Sequence, residues 1–382
     1  PGRLLTRMSW WARRTWPQRL LLGATAGAVG AYAYYSGREL YEQWSARLAE
    51  EEREREDEAQ VLEEQLTEQY QAVQRIADTT TLPVLLPRLR TRLSALLDVE
   101  GPTERLRRAR NLPSPGASPG GGVGSPSPQQ LTQEEKVAEW NLLKVTSFTR
   151  TLSALWAGSL LVLMVRVQLN ILGRHIYLLS AERGAAEPPA QPEAQHDFLS
   201  MAEHLPAEGV KRLCECMRKA AETVLRDRSL RELITHEALV RLLWDICQEF
   251  EREAFAQPGP DTGFAAFVLP SAQAFEEELA RAGTLRSAYE ETREVVMGRR
   301  FTDLARAAVG TAWRHLVEGT LAPYAPGAGP EAAVPLAKTV PAVAGVTARL
   351  LDRVETLPEG IAMHPEVDAL CAELFSALPA KR

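Results

Sequence analysis

Cysteine is scarce in this 382-residue sequence: Cys214, Cys216, Cys247 and Cys371 are the only four. Four thiols make no disulfide framework and suit a reducing compartment. No Asn-x-Ser/Thr sequon occurs, which weighs against a secretory route. Metal-ligand spacing is also missing. Cys214 and Cys216 lie two apart, so on a helix they point about 200° from each other, and no second pair follows at zinc spacing. His236-Glu237 begins like a zincin motif, but Val240 stands where the second histidine is required. The six histidines form no cluster. Nucleophile elbows, Walker loops and dinucleotide fingerprints are absent in context. The expectation is therefore a protein that is not an enzyme, with no catalytic residue, metal or cofactor. A net charge of −6 argues against general nucleic-acid binding. Strand-like alternation is nearly absent too, which predicts an all-α fold.

Charge is unevenly placed. Residues 1–19 are basic and carry Arg3, Arg7, Arg13, Arg14 and Arg19 beside Trp10, Trp11 and Trp16. An uncharged stretch, 20–36, follows and closes on tyrosines, the aromatic-belt pattern of a membrane anchor. A cleavable signal peptide (small-x-small site at Ala31-Tyr32-Ala33) and an interfacial segment are the other readings of these cues. Gly23, Gly27 and Ala31 form a small-residue stripe that could pair helices in lipid. Seven acids crowd residues 50–58, a solvated helical face.

Beyond the anchor, apolar residues recur at helical spacing. Leu62, Leu66, Tyr70, Val73 and Ile76 mark one long helix from Glu39 to about Asp78, and apolar positions between Leu82 and Leu97 mark another. Thr103 to Arg110 predicts a short helical turn. Fourteen of residues 112–128 are Pro, Gly or Ser, so 112–130 is expected to be a disordered insertion. Thr132 followed by Glu135 has capping-box spacing. The helix it opens is expected to run to about Ala181. Its middle, Leu152 to Val165, is a 14-residue apolar run. A spanning helix needs roughly 20 residues, so this one should be a pillar buried in protein, with Arg166, Gln168 and Asn170 finding partners there. Further helices are expected near 198–226, 229–256, 271–295, 299–319, 336–356 and 364–378, with loops at 184–196, 257–263 and 322–335. The domain plan is a basic tail (1–19), an anchor (20–36) and one all-α domain (37–382) bundled around the central helix.

At the head of the pillar, Trp140, Leu143 and Lys144 are three or four residues apart and can neighbour one another. An apolar patch with a lysine suits an incoming amphipathic helix, and tryptophan is enriched at binding hot spots. The alternative is that Trp140 simply packs into the core.

The segments LKVTSFTRT, LLVLMVRVQLNILGRHIYL and VPLAKTVPAVAG (Val334 to Gly345) resemble the peroxisomal biogenesis factor three family, also called peroxin three. The resemblance implies an all-α membrane receptor of the peroxisome, with a short tail in the lumen and the bulk facing the cytosol. The positive-inside rule alone would put the tail in the cytosol. The implied partner is peroxin nineteen, an import chaperone-receptor that carries new peroxisomal membrane proteins and docks through an amphipathic helix. The family's groove residues map onto Trp140, Leu143 and Lys144, and a preceding motif onto Thr103 and Leu106. The chain departs from the family in the charged Glu104-Arg105 pair and in the Pro/Gly/Ser insertion. The basic tail, with Arg13 and Arg14, is implied to act with the anchor as a targeting signal. Two other readings remain open on the residues: a structural tether linking the organelle to another membrane or a motor, and a lipid-handling bundle.

Overall fold

The computed structural model describes residues 16–111, 132–183, 192–256, 262–324, 332–352 and 357–377, and over 16–37 the backbone alone. The chain divides into two compact units, Pro1–Glu68 and Gln69–Arg382. The first unit contains most of one helix, α1 (Trp16–Ile76). In its described part this helix exposes Trp44, Leu48 and Val61 among charged residues, and it is laced by i,i+4 pairs such as Arg38–Glu42 at 2.7 Å. Such exposed pairs are worth a few tenths of a kcal/mol each. The expected anchor side chains at 20–36, the targeting residues Arg13 and Arg14 and the 112–130 insertion lie outside the described residues.

The second unit begins with the last turns of α1. Residue 37 lies within α1. A single π-helical turn, Ala77–Thr81, leads to α2 (Leu82–Leu96), followed by α3 (Glu100–Asn111). The short turn expected at 103–110 is thus a helix of three turns. It starts early because the Asp98 carboxylate accepts the Gly101 amide at 3.0 Å and satisfies an otherwise unpaired N–H.

The pillar is α4 (Gln133–Arg183). It opens on the predicted capping box: the Thr132 amide donates to Glu135 Oε2 at 2.7 Å, and the Glu135 amide donates to Thr132 Oγ1 at 3.2 Å. From Thr151 to Leu172 every residue is buried. Among the described residues one helix, Gln133–Leu178, is long and apolar enough to cross a bilayer, and its apolar window is wholly buried inside the protein. A helix apolar all round must be covered on every side.

The cover comes from α6 (Val210–Leu225), α10 (Arg286–Met297), α11 (Arg299–Gly319), α12 (Leu336–Asp352), α13 (Leu357–Ala362) and α14 (Pro365–Ser376), together with α2 and α3. Between them lie α5 (Pro192–Ser200), α7 (His236–Ala254), α8 (Ala265–Val268) and α9 (Ala272–Arg281). On α7 the residues Leu239, Leu243, Ile246, Cys247 and Phe250 form a buried stripe, while Val240 is half-buried.

The polar residues that follow the pillar's apolar run, Arg166, Gln168 and Asn170, do find partners. Arg166 donates to Gln74 at 2.5 Å and to Asp78 at 2.6 Å. Gln74 in turn donates to Asn170, whose amide donates back to the Arg166 carbonyl. Gln168 reaches the Phe198 carbonyl at 2.8 Å. Arg174 bonds the Leu374 carbonyl at 3.0 Å and pairs with Glu291. Tyr70 donates to Asp368 at 2.6 Å, and its ring meets Phe375 edge-on. The last turns of α1, the pillar and α14 are thereby fastened together.

Three expectations are corrected. The helix near 198–226 is broken by a 3₁₀ turn (Met201–Glu203) and a π-helical turn (Leu205–Gly209). The loop expected to 196 ends earlier, because α5 begins at Pro192. The loop expected at 322–335 contains β2 (Ala333–Pro335), which pairs antiparallel with β1 (Leu233–Thr235) in the register Ile234↔Val334. Three-residue strands at 100-residue separation leave too little alternation to find in a sequence.

Gly209 packs against backbone. A Cβ there would sit 1.8 Å from the Phe267 carbonyl oxygen. Gly209→Ala should therefore lower the unfolding free energy by about 1–3 kcal/mol, as overpacking does. Thermal or denaturant unfolding of the variant checks this. An unchanged stability would mean that the 205–209 turn shifts freely.

Candidate docking groove

The head of α4 turns one face toward the end of α6. Gln133, Lys136, Val137, Trp140, Asn141, Lys144 and Val145 follow at three- and four-residue steps along this face. With Leu225, the turn 226–231, Pro335 and Ala337 they line a groove of about 1000 Å³. Trp140 is half-buried and packs against the hydrophobic core at the groove's side. Leu230 is likewise half-buried on that core.

The far wall is the turn after α6, and three sets of bonds hold it. The Arg228 amide closes on the Leu225 carbonyl, and the Glu232 amide closes on the Ser229 carbonyl. The Leu336 and Ala337 amides donate to the Glu232 and Leu230 carbonyls at 2.9 and 3.0 Å, extending the small sheet. Arg228 pairs with Glu232 at 2.7 Å. Five cations (Lys136, Lys144, Arg226, Arg228, Arg231) and two carboxylates (Glu222, Asp227) are among the lining residues. This is a basic site on a chain of net charge −6.

The residues expected to bind a partner do not all meet here. Trp140 and Lys144 share the groove. Leu143 does not: it is 4% exposed and belongs to the core between α3 and α4. It sits about 60° round the helix from Trp140, which is enough to change which element it faces. Leu106 is buried in the same core. Thr103 is exposed on α3, where its hydroxyl donates to the Val99 carbonyl at 2.6 Å, and it does not line the groove. The charged pair that departs from the family is occupied locally. Arg105 makes a two-pronged bond to Glu139 of α4, and Glu104 pairs with Arg108. With Arg150 bonded to Glu100, Arg105 pins α3 along the pillar.

The Lys144 side chain is 4% exposed, and its ammonium donates to the Leu225 carbonyl at 3.1 Å and the Arg228 carbonyl at 2.7 Å. Burial lowers its pKa, with the nearby Glu232 carboxylate working the other way. Sequence reasoning missed the whole opposite wall. The polar run Arg226-Asp227-Arg228-Ser229 signals a turn, but nothing in it tells which helix it faces.

The remaining candidates for chemistry sit elsewhere. Burial pushes the Cys214 and Cys247 thiols up to about 12, well away from reactive thiolates. His236 packs on Tyr324, and its ring nitrogen lies 3.3 Å from the Val317 carbonyl and 3.2 Å from the Thr320 hydroxyl, tying α7 to the end of α11. Among the described residues no group of three or more His, Cys, Asp or Glu side chains gathers as metal ligands.

Comparison with known proteins agrees with this architecture. Residues 112–377 match the family model described as Peroxin-3. The Arabidopsis thaliana Peroxisome biogenesis protein 3-1 is 29% identical over 314 residues, covering 79% of this chain and 80% of that protein. Its counterpart 3-2 is 28% identical over 337 residues, 84% of this chain and 85% of that protein. The human Peroxisomal biogenesis factor 3 is 32% identical over 168 residues, 44% of this chain and 39% of that protein. A match over most of the bundle shows that the chain belongs to the Peroxin-3 family, a family of peroxisome biogenesis factors.

Proposed function

We propose that this chain is a docking receptor of the peroxisomal membrane, and that its groove takes the amphipathic helix of the import chaperone-receptor peroxin nineteen. The bulk of the chain would face the cytosol and residues 20–36 would hold it in the bilayer. The observation that carries this reading is the groove itself. It places a half-buried tryptophan between a helix face and a braced turn, within a basic lining.

The physical fit is specific. An amphipathic helix can lay its apolar side against Trp140, Val137 and Leu230, the usual helix-in-groove arrangement. Acids on its flanks would meet Lys136, Arg226 and Arg231. Such flanking charges raise the encounter rate and set orientation more than they add affinity. The wall is fixed before any partner arrives, so little loop ordering opposes binding.

The test is a calorimetric titration of the full chain, kept in mild detergent, with a peptide of the N-terminal helix of peroxin nineteen. Trp140→Ala should weaken binding by about 2 kcal/mol or more, roughly thirtyfold in Kd, with the fold intact by circular dichroism. An unchanged Kd in a folded variant would remove Trp140 from the site. No binding by the folded wild-type chain would discard the docking function. Leu143→Ala should behave differently. It should cost about 2–5 kcal/mol of fold stability, read as a lower unfolding midpoint. Weakened docking without that drop would instead put Leu143 on the binding surface.

A further inference from the structure

The last carbonyls of any helix lack partners within the helix, and its C-terminal end carries partial negative charge. α6 ends at Leu225, whose carbonyl accepts the Arg228 amide of the following turn and a second donor from outside it. The Lys144 ammonium, reaching from α4 across 81 residues of sequence, bonds the Leu225 carbonyl and, one turn further, the Arg228 carbonyl. The strand side of the same turn is tied to Leu336 and Ala337. On the α6 side, Lys144 is the side chain that spans from the pillar to the wall.

We propose that Lys144 is a positioning residue of the groove: it fixes the 225–228 wall opposite Trp140 and does not itself touch the occupant. The proposal rests on the docking reading of the groove, and it adds where the groove's shape comes from. Both carbonyl bonds use the ammonium, and the stem is enclosed, so little of the charge is left to face a bound helix. The structure makes the wall and the Trp140 face one unit through a single buried cation. Its removal would take a donor from the Leu225 carbonyl, which keeps the Arg228 amide, and from the Arg228 carbonyl, so the turn would lose its tie to the pillar and open toward water.

The experiment uses Lys144→Met in the full chain, a swap of similar length without charge or donor. Its first arm needs no partner: hydrogen exchange of the 226–232 amides. These should exchange about tenfold faster or more, while amides in the middle of α4 stay as in wild type. The second arm titrates the peroxin nineteen helix at several salt concentrations. Kd should weaken about tenfold with the slope of log Kd against log salt unchanged, because the lost charge did not face the ligand. Unaltered exchange at 226–232 would overturn the proposal. So would a weakened Kd with a shallower salt slope, since that marks Lys144 as a contact of the occupant. If the methionine variant does not fold, Lys144→Gln carries the same two readouts. If wild type binds no helix, the docking reading falls, and the exchange arm alone decides whether Lys144 holds the wall.

Discussion

A helix that is apolar on every side has no stable place in water, and the rest of the bundle follows from that. From Thr151 to Leu172 the pillar offers no face to solvent. Fully burying one large aliphatic side chain contributes about 1.5–3 kcal/mol, so covering the leucines, valines and isoleucine among these 22 residues is a large favourable term. Coverage alone would not fix register, because apolar surfaces slide. Register comes from the polar residues set into the pillar. Arg166 and Asn170 both bond Gln74 of α1, Gln168 bonds the Phe198 carbonyl and Arg174 the Leu374 carbonyl, and a one-turn slip would break these bonds. The sequence that looked almost ready for a membrane is thus bolted into protein by the residues that spoil it for lipid.

The groove exists for the same reason at the other end of the pillar. Toward Gln133 the helix ceases to be apolar all round and becomes two-faced. One side, with Leu143, joins the core beneath α3. The other, with Trp140, is left to the turn after α6. That turn is braced by the helix end, by the small sheet and by Lys144, so a concave basic surface persists without an occupant. Backbone carbonyls and amides hold the wall in place, and the side chains of Val137, Arg226 and Arg231 give the surface its apolar and basic character.

How much of this was legible in the sequence depends on distance along the chain. The pillar, its capping box and its need for polar partners were local facts, written in consecutive residues. Trp140 could be singled out because three- and four-residue spacing defines a helix face. The burial of Leu143 was not legible by that rule, since a 60° difference separates a core position from a groove position and only the packed neighbours decide it. Lys144 looked like a surface charge because sequence shows the cation and hides the carbonyls it meets 81 residues later. The wall itself was invisible for the same reason. The π-helical and 3₁₀ turns at 201–209 were also missed, and the close approach of Gly209 to the Phe267 backbone is a long-range contact that the sequence does not display.

The little sheet between β1 and β2 has a consequence in time. It joins residues 233–235 to residues 333–335, and Pro335 and Ala337 line the groove. A ribosome making this chain releases Trp140 and the turn after α6 long before it releases the strand that braces them. Long-range pairings of this kind form late. The nascent chain therefore has no finished groove until Ala337 has been synthesised. One wall of the groove is in this way made to wait for the last third of the bundle.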